Sequence, residues 1–189
     1  HIYLREDGDW SKKHTSRNSD GLIDKLLTSE AIDIVMSLNT KNQIVIKSKR
    51  GIALLEDKET GVFYTPLVND PFGYEGIKDF LSYDDVLEKT FETSYPDALT
   101  QIVQIFKSGR SGDIIISAET GFDLRSNFEF PQHKSSHGSL KSDHMHVPLI
   151  MNRMVSEDKI RTVDLFPTIL DFLNLQVPNK VDGKKLDIN

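Results

Sequence analysis

Apolar positions along the chain come in short runs, and the spacing within each run predicts the element it forms. Three β-branched or apolar runs in AIDIVMSLNTKNQIVIKSKRGIALLED, separated by NTKNQ and SKRG, predict a small antiparallel meander. Ahead of them, LIDKLL supplies the apolar face of a helix over Gly21 to Ser29, with Asp20 as its cap. Ser82, followed by Asp85 at the third position, predicts a capped short helix in SYDDVLEKTF. In PDALTQIVQIFKSG, Leu99, Ile102, Val103 and Phe106 recur at i, i+3, i+4, i+7 on one helical face. Pro96 sits in the first turn of that helix and Gly109 ends it.

The run SGDIIISAE then has the length and continuous apolarity of a parallel strand buried on both faces. VPLIMNRM reads as a second short buried strand. RTVDLFPTILDFLNL reads as an amphipathic helix with Pro167 in its first turn and Thr162 or Asp164 as the cap. Between these elements the patterning fades. REDGDWSKKHTSRNSD reads as a loop, and Lys58 to Tyr83, with Pro66, Pro71 and several glycines among aromatics, reads as irregular and surface-lying. HIYL reads as the middle of a strand, so the chain is expected to be a piece of a longer protein.

The order helix, strand, loop, strand, helix in the second half is an α/β pattern, with a small antiparallel insertion in the first half. Ligands in open α/β sheets sit beyond the carboxyl ends of the strands. That rule points to the stretch from Gly112 to Pro148, where an apolar strand runs into a polar loop holding His133, His137, His144 and His146, four of the six histidines.

Composition narrows the chemistry. With 38% hydrophobic and 28% charged residues in 189, the chain can build a core. A formal charge of -6, with scattered lysines and arginines, argues against nucleic-acid binding. The absence of cysteine excludes disulfides and thiolate metal sites. No apolar run approaches the roughly 20 residues of a membrane helix.

Imidazoles are common zinc ligands, and His144 and His146 at i, i+2 would face one side of a strand, yet loop histidines can equally be solvated. Gly138, after His137, permits the positive φ that would turn the imidazole inward, or it belongs to an ordinary turn. Glu119 and Asp123 near the strand end read as structural carboxylates.

SSHGSLKSDHMHVPLIM, IRTVDLFPTILDFLNL and VDGKKL together resemble the carboxyl-terminal signature of the alkaline phosphatase superfamily. The nearest branch is the type I phosphodiesterase and nucleotide pyrophosphatase group, with its HGS, VPL, TVDxxPTxL and DGxxL blocks. GDIIISAETGFDL fits the strand and turn before the HGS block. The resemblance covers residues 95–186 well and 1–94 weakly, which implies an inserted variable region over 1–94 and the carboxyl-terminal part of the α/β core over 95–189.

What the resemblance implies is a mostly parallel sheet flanked by helices and a phosphoric-ester hydrolase using two divalent metals, usually zinc. His137, in the HGS block, matches one metal ligand, while His146 matches a supporting position. Asp164 and Thr168 are expected to cap and pack. The family's Thr or Ser nucleophile and its upstream Asp-His blocks have no match here, and Asp143-His144 comes in the wrong order. The chain is therefore expected to be an inactive carboxyl-terminal fragment that holds no metal tightly by itself. Its partner would be a small phosphoric ester, nucleotides included, and an oligomer is admitted. The alternatives are a non-catalytic interaction module with the superfamily half-fold, or a self-contained metal protein using His133, His137, His144 and His146.

Overall fold

The predicted meander forms, and it grows into a larger sheet than the patterning suggests. The computed structural model describes residues 1–4, 20–124 and 137–188, which divide into two units, His1–His146 and Val147–Asn189. In the first unit, β1 (Ile32–Leu38), β2 (Ile44–Ser48) and β3 (Ile52–Lys58) are the three meander strands. With β4 (Gly61–Val68), β5 (Asp79–Ser82) and β6 (Ile114–Ala118) they make one six-stranded sheet of order β5-β4-β3-β2-β1-β6.

Every pairing in that sheet is antiparallel, including β1 with β6. This corrects the expected mostly parallel, alkaline-phosphatase-like sheet. The physical reason is that a continuous apolar run reports burial on both faces and carries no information on strand direction. Here both faces are covered by helices. The face bearing Ile34, Met36, Ile46, Leu55 and Tyr64 forms the main core with Leu99, Ile102 and Val103 of α3 (Ala98–Lys107). The opposite face carries Val35 and Ile114 in a smaller core closed by Ile23 of α1 (Asp20–Leu27). Ile2 adds an isolated antiparallel bridge to Ile114, so HIYL touches β6 at the strand's first residue.

Residues 58–83 are the second correction, since β4 and β5 form where an irregular surface segment was expected. Proline is tolerated because β5 pairs with Gly61 to Tyr64 only, leaving Pro66 on a stretch where one side of the ladder is open. The glycine at the start of β4 has a packing reason: a Cβ at Gly61 would lie 2.1 Å from the Leu81 carbonyl oxygen. Beyond β4, Asp70 accepts from the Phe72 and Tyr74 amides at 2.8 and 3.1 Å and from the Tyr64 hydroxyl at 2.7 Å. That carboxylate folds the PFGY segment onto the sheet, so Phe72, Tyr74, Tyr64 and Tyr95 are buried together.

The capped helix forms as expected as α2 (Tyr83–Thr90), where the Ser82 hydroxyl accepts from the Asp85 amide and the Asp85 carboxylate receives the Ser82 amide. Such a cap contributes about 1 kcal/mol. The stretch REDGDWSKKHTSRNS lies outside the described residues.

In the second unit VPLIMNRM is not a buried strand: Ile150 is 92% exposed and Val147 61%. Apolarity over five residues does not supply a partner strand, and among the described residues none pairs with them. Instead this unit is organised by Asp164, buried at 2% exposure at the junction of a 3-10 turn (Thr162–Asp164) and α5 (Leu165–Phe172). Its carboxylate accepts from the Arg161 amide and from the Lys184 amide, both at 2.9 Å. Thr168 continues the clasp: its hydroxyl donates to the Asp164 carbonyl at 2.6 Å and accepts from the Leu186 amide at 2.9 Å. Pro167 lies in the first turn of α5, where its missing N–H costs nothing.

Gly183 completes the junction, because a Cβ there would meet the Val163 carbonyl oxygen at 2.1 Å. Asp164→Ala should therefore cost about 1–3 kcal/mol by leaving two amides without their acceptor. Amide hydrogen exchange at Lys184 and Leu186 should accelerate in that variant, and unchanged exchange at both would contradict the clasp.

Candidate functional site

β6 ends in a tight turn that begins the candidate site. The Glu119 amide donates to the Ala31 carbonyl at 3.0 Å, which ties the strand end to the start of β1, and the Phe122 amide donates back to the Glu119 carbonyl at 3.1 Å. Gly121 has φ +87°, the left-handed conformation that this turn needs at its third position. Glu119 folds over its own turn, accepting from the Thr120 amide at 2.8 Å.

Facing this turn is the HGS loop. Gly138 has φ +98°, with open space around it, so it is glycine for conformation and not for packing. The Ser139 hydroxyl accepts from the Lys141 amide at 3.2 Å, and the chain enters a single helical turn, α4 (Ser142–Met145). The Ser142 amide donates to the Ser94 carbonyl at 3.0 Å and anchors that turn to the α2–α3 connection.

Between the two loops lies a cavity of about 270 Å³. Its described walls are Ile116 and Ala118 of β6, the turn Glu119 to Leu124, the loop His137 to Ser139, and His144. Four of the side chains singled out in the sequence, Glu119, Asp123, His137 and His144, thus share one cavity at the carboxyl end of β6. His137 and His144 are both solvent-exposed.

His146 is elsewhere. Its ring packs on Phe91 at 4.6 Å between centroids and 31° between planes. The expectation that His144 and His146 share a strand face is corrected, because His144 lies in the helical turn Ser142–Met145 and His146 is the extended residue that ends it, so the two do not lie on one strand. His133 lies outside the described residues.

The cavity does not assemble a metal site by itself. Among the described residues no three His, Asp or Glu side chains come together in a way that could hold an ion. Glu119, moreover, already faces a cation: the Lys141 ammonium contacts its carboxylate. The Lys141 hydrogen bond, aided by the Thr120 amide and by the charges of Lys141 and Arg50, holds the Glu119 carboxyl below its ordinary value of 4.5, against the opposing effect of burial.

Sequence reasoning missed a second charged group beside this one. In β1 the register with β6 shifts between Ile32 and Ile34, which makes Asp33 the extra residue of a bulge. The buried Asp33 carboxylate accepts from the Tyr95 hydroxyl and from the Arg50 guanidinium, each at 2.7 Å. Arg50 also donates to the Pro71 carbonyl at 2.8 Å and lies 5.2 Å from the Tyr95 ring centroid. Burial, then the Asp33 hydrogen bond, pushes the Tyr95 phenol above its ordinary range, so it stays a donor at neutral pH. The available signal was Asp33 itself, an acid inside an apolar strand run. Lys141 gave no signal, since a lysine in a polar loop is ordinary.

No protein-family model matches the chain, and no curated protein or solved structure matches it either.

The sign of the Glu119 shift sets a pH dependence. A carboxyl with a depressed folded pKa adds stability that is complete above about pH 4.5 and is lost as the pH falls through the lower folded value. Lys141→Ala should move the Glu119 titration, followed by 13C NMR of its side-chain carboxyl, back up toward 4.5. A titration unchanged by the substitution would contradict the ion pair.

Proposed function

We propose that the chain is the carboxyl-terminal part of a metal-dependent phosphoric-ester hydrolase, a phosphodiesterase, nucleotide pyrophosphatase or phosphatase, and that it forms one wall of the active site. One observation carries the reading: the turn after β6 and the HGS loop, the two blocks that the resemblance links, line the same cavity although residues 125–136 separate them along the chain. A volume of about 270 Å³ suits a phosphoryl group better than a whole nucleotide, since pockets for drug-sized ligands begin near roughly 300 Å³. The remainder of the ester would then lie outside this wall.

In this reading His137 offers a neutral imidazole to one divalent ion, zinc by preference, and the chain contributes neither the nucleophile nor the other ligands. Metals in such enzymes stabilise charge on the phosphoryl oxygens. The described residues alone do not fit such a group, so no chemical step is assigned to the chain by itself. The reading does not depend on a parallel sheet, only on what meets at the end of β6.

A non-catalytic interaction module is the second reading, favoured by the apolar side chains that the second unit exposes, Phe166, Ile169, Phe172 and Leu173 among them. The two readings separate on activity. The chain alone with zinc should leave bis-p-nitrophenyl phosphate and p-nitrophenyl phosphate at the blank rate. Expressed together with the polypeptide encoded upstream of His1, it should hydrolyse one of them. His137→Ala should then lower that rate by at least the roughly 10- to 100-fold that loss of a metal's supporting groups costs. Hydrolysis by the chain alone, or none by the longer polypeptide, would overturn the proposal.

A further inference from the structure

The two walls of the cavity are anchored to different parts of the first unit, and an ion pair joins them. The turn after β6 is tied to the sheet by the Glu119 amide and the Ala31 carbonyl. The segment that follows the HGS loop is tied elsewhere: Leu140 packs against the main core, the Ser142 amide donates to the Ser94 carbonyl at 3.0 Å, and the His146 ring lies on Phe91. None of these three anchors reaches the turn after β6. Lys141 does. Its ammonium contacts the Glu119 carboxylate across twenty-two positions of chain, while its amide donates to the Ser139 hydroxyl at 3.2 Å. One residue thus holds the β6 turn by its side chain and the HGS loop by its backbone.

The pair is placed to bear that load. The Lys141 side chain is only 18% exposed, whereas Lys89 and Asp85 on α2 form a pair that is half exposed, so water and salt screen the Lys141 contact less. Glu119 is steadied in turn by the Thr120 amide at 2.8 Å. The walls themselves offer little else at their glycines: at neither Gly121 nor Gly138 would an added Cβ meet anything within 4 Å, so side-chain packing does not hold the loops there. We propose that Lys141 is the positioning residue of the cavity, and that through Glu119 it sets where the His137–Ser139 loop stands relative to the turn after β6. It does not line the cavity; it acts through Glu119 and Ser139, which do. The inference deepens the hydrolase reading and rests on it for the reaction alone, because the position of the loop is a property of this chain by itself.

The test is amide 15N relaxation on the labelled chain. In the wild type Gly121, Gly138 and Ser139 should have the order parameters of rigid backbone, about 0.85, and Lys141→Gln should bring Gly138 and Ser139 below about 0.6 while β1 and α3 keep their values. Lys141→Arg retains the charge and should retain the ordered loop. Lys141→Glu should loosen the loop, and adding Glu119→Lys should restore it, a rescue that lost packing alone would not give. The proposal is overturned by a loop already loose in the wild type, by one equally ordered in Lys141→Gln, or by loosening in Lys141→Glu that Glu119→Lys leaves unchanged. Should Lys141→Gln fail to fold, Glu119→Gln breaks the same contact from the other side and decides by the same two amides. In a longer polypeptide that hydrolyses an ester, Lys141→Gln should lower kcat at least about tenfold and Lys141→Arg should not. Absence of hydrolysis there would count against the hydrolase reading, while the relaxation data alone decide the role of Lys141.

Discussion

Asp33 carries a buried carboxylate on the strand around which the first unit is built, and the bulge that inserts it determines where the neighbouring elements can go. β1 is buried along nearly its whole length, paired to β2 on one side and β6 on the other. An unpaired carboxylate there would be strongly destabilising. Its two partners come from far along the chain, Arg50 from the turn after β2 and Tyr95 from the loop before α3, so one charge fixes the relative positions of three segments. The Arg50 side chain is partly exposed, but the Asp33 carboxylate is not, so losing either partner leaves a buried charge less compensated and is destabilising. The Ala31 carbonyl, two residues before Asp33, receives the Glu119 amide, and through it the bulge sets the start of the site.

Much of this could be read from the sequence where the signal is local. The capping box at Ser82, the α3 face of Leu99, Ile102 and Val103, the meander, and Pro167 in the first turn of α5 all depend on neighbours within a few positions, and all are found. What failed was non-local. The direction of β6 is set by its partner β1, which residue patterning within 114–118 does not encode. β4 was hidden by Pro66 and its glycine, whose tolerance follows from the shortness of β5 and the close approach of the Leu81 carbonyl. Exposure of Val147, Leu149 and Ile150 likewise goes with the lack of a strand pairing with them among the described residues.

The candidate site follows the same division. The stretch that the sequence singled out, a strand end followed by a polar, histidine-bearing loop, is the one that lines the cavity. Residue spacing paired His146 with His144, whereas the helical turn Ser142–Met145 sends His146 onto Phe91 and leaves His144 on the cavity. Glu119, expected to be structural, is both structural and cavity-lining, since its amide closes the sheet while its carboxylate meets Lys141. Lys141 depends on a contact across twenty-two positions, and nothing near it in the sequence announces the role.

In the second unit the clasp of Asp164 and Thr168 accounts for the TVDLFPT and DGKKL blocks by backbone geometry alone: a carboxylate and a hydroxyl hold two distant amides, and a glycine lets the strands of chain approach. In the first unit the corresponding junction is Asp33 with Arg50 and Tyr95, beside the antiparallel pair β1 and β6, and the cavity lies at the carboxyl end of β6. The direct test is a nuclear Overhauser measurement on the 13C,15N-labelled chain. Antiparallel pairing predicts Hα–Hα contacts at alternate pairs in the register Ile34–Ser117, Val35–Ile116, Met36–Ile115 and Ser37–Ile114. Absence of those contacts, or a parallel pattern from β6 to any strand, would contradict it.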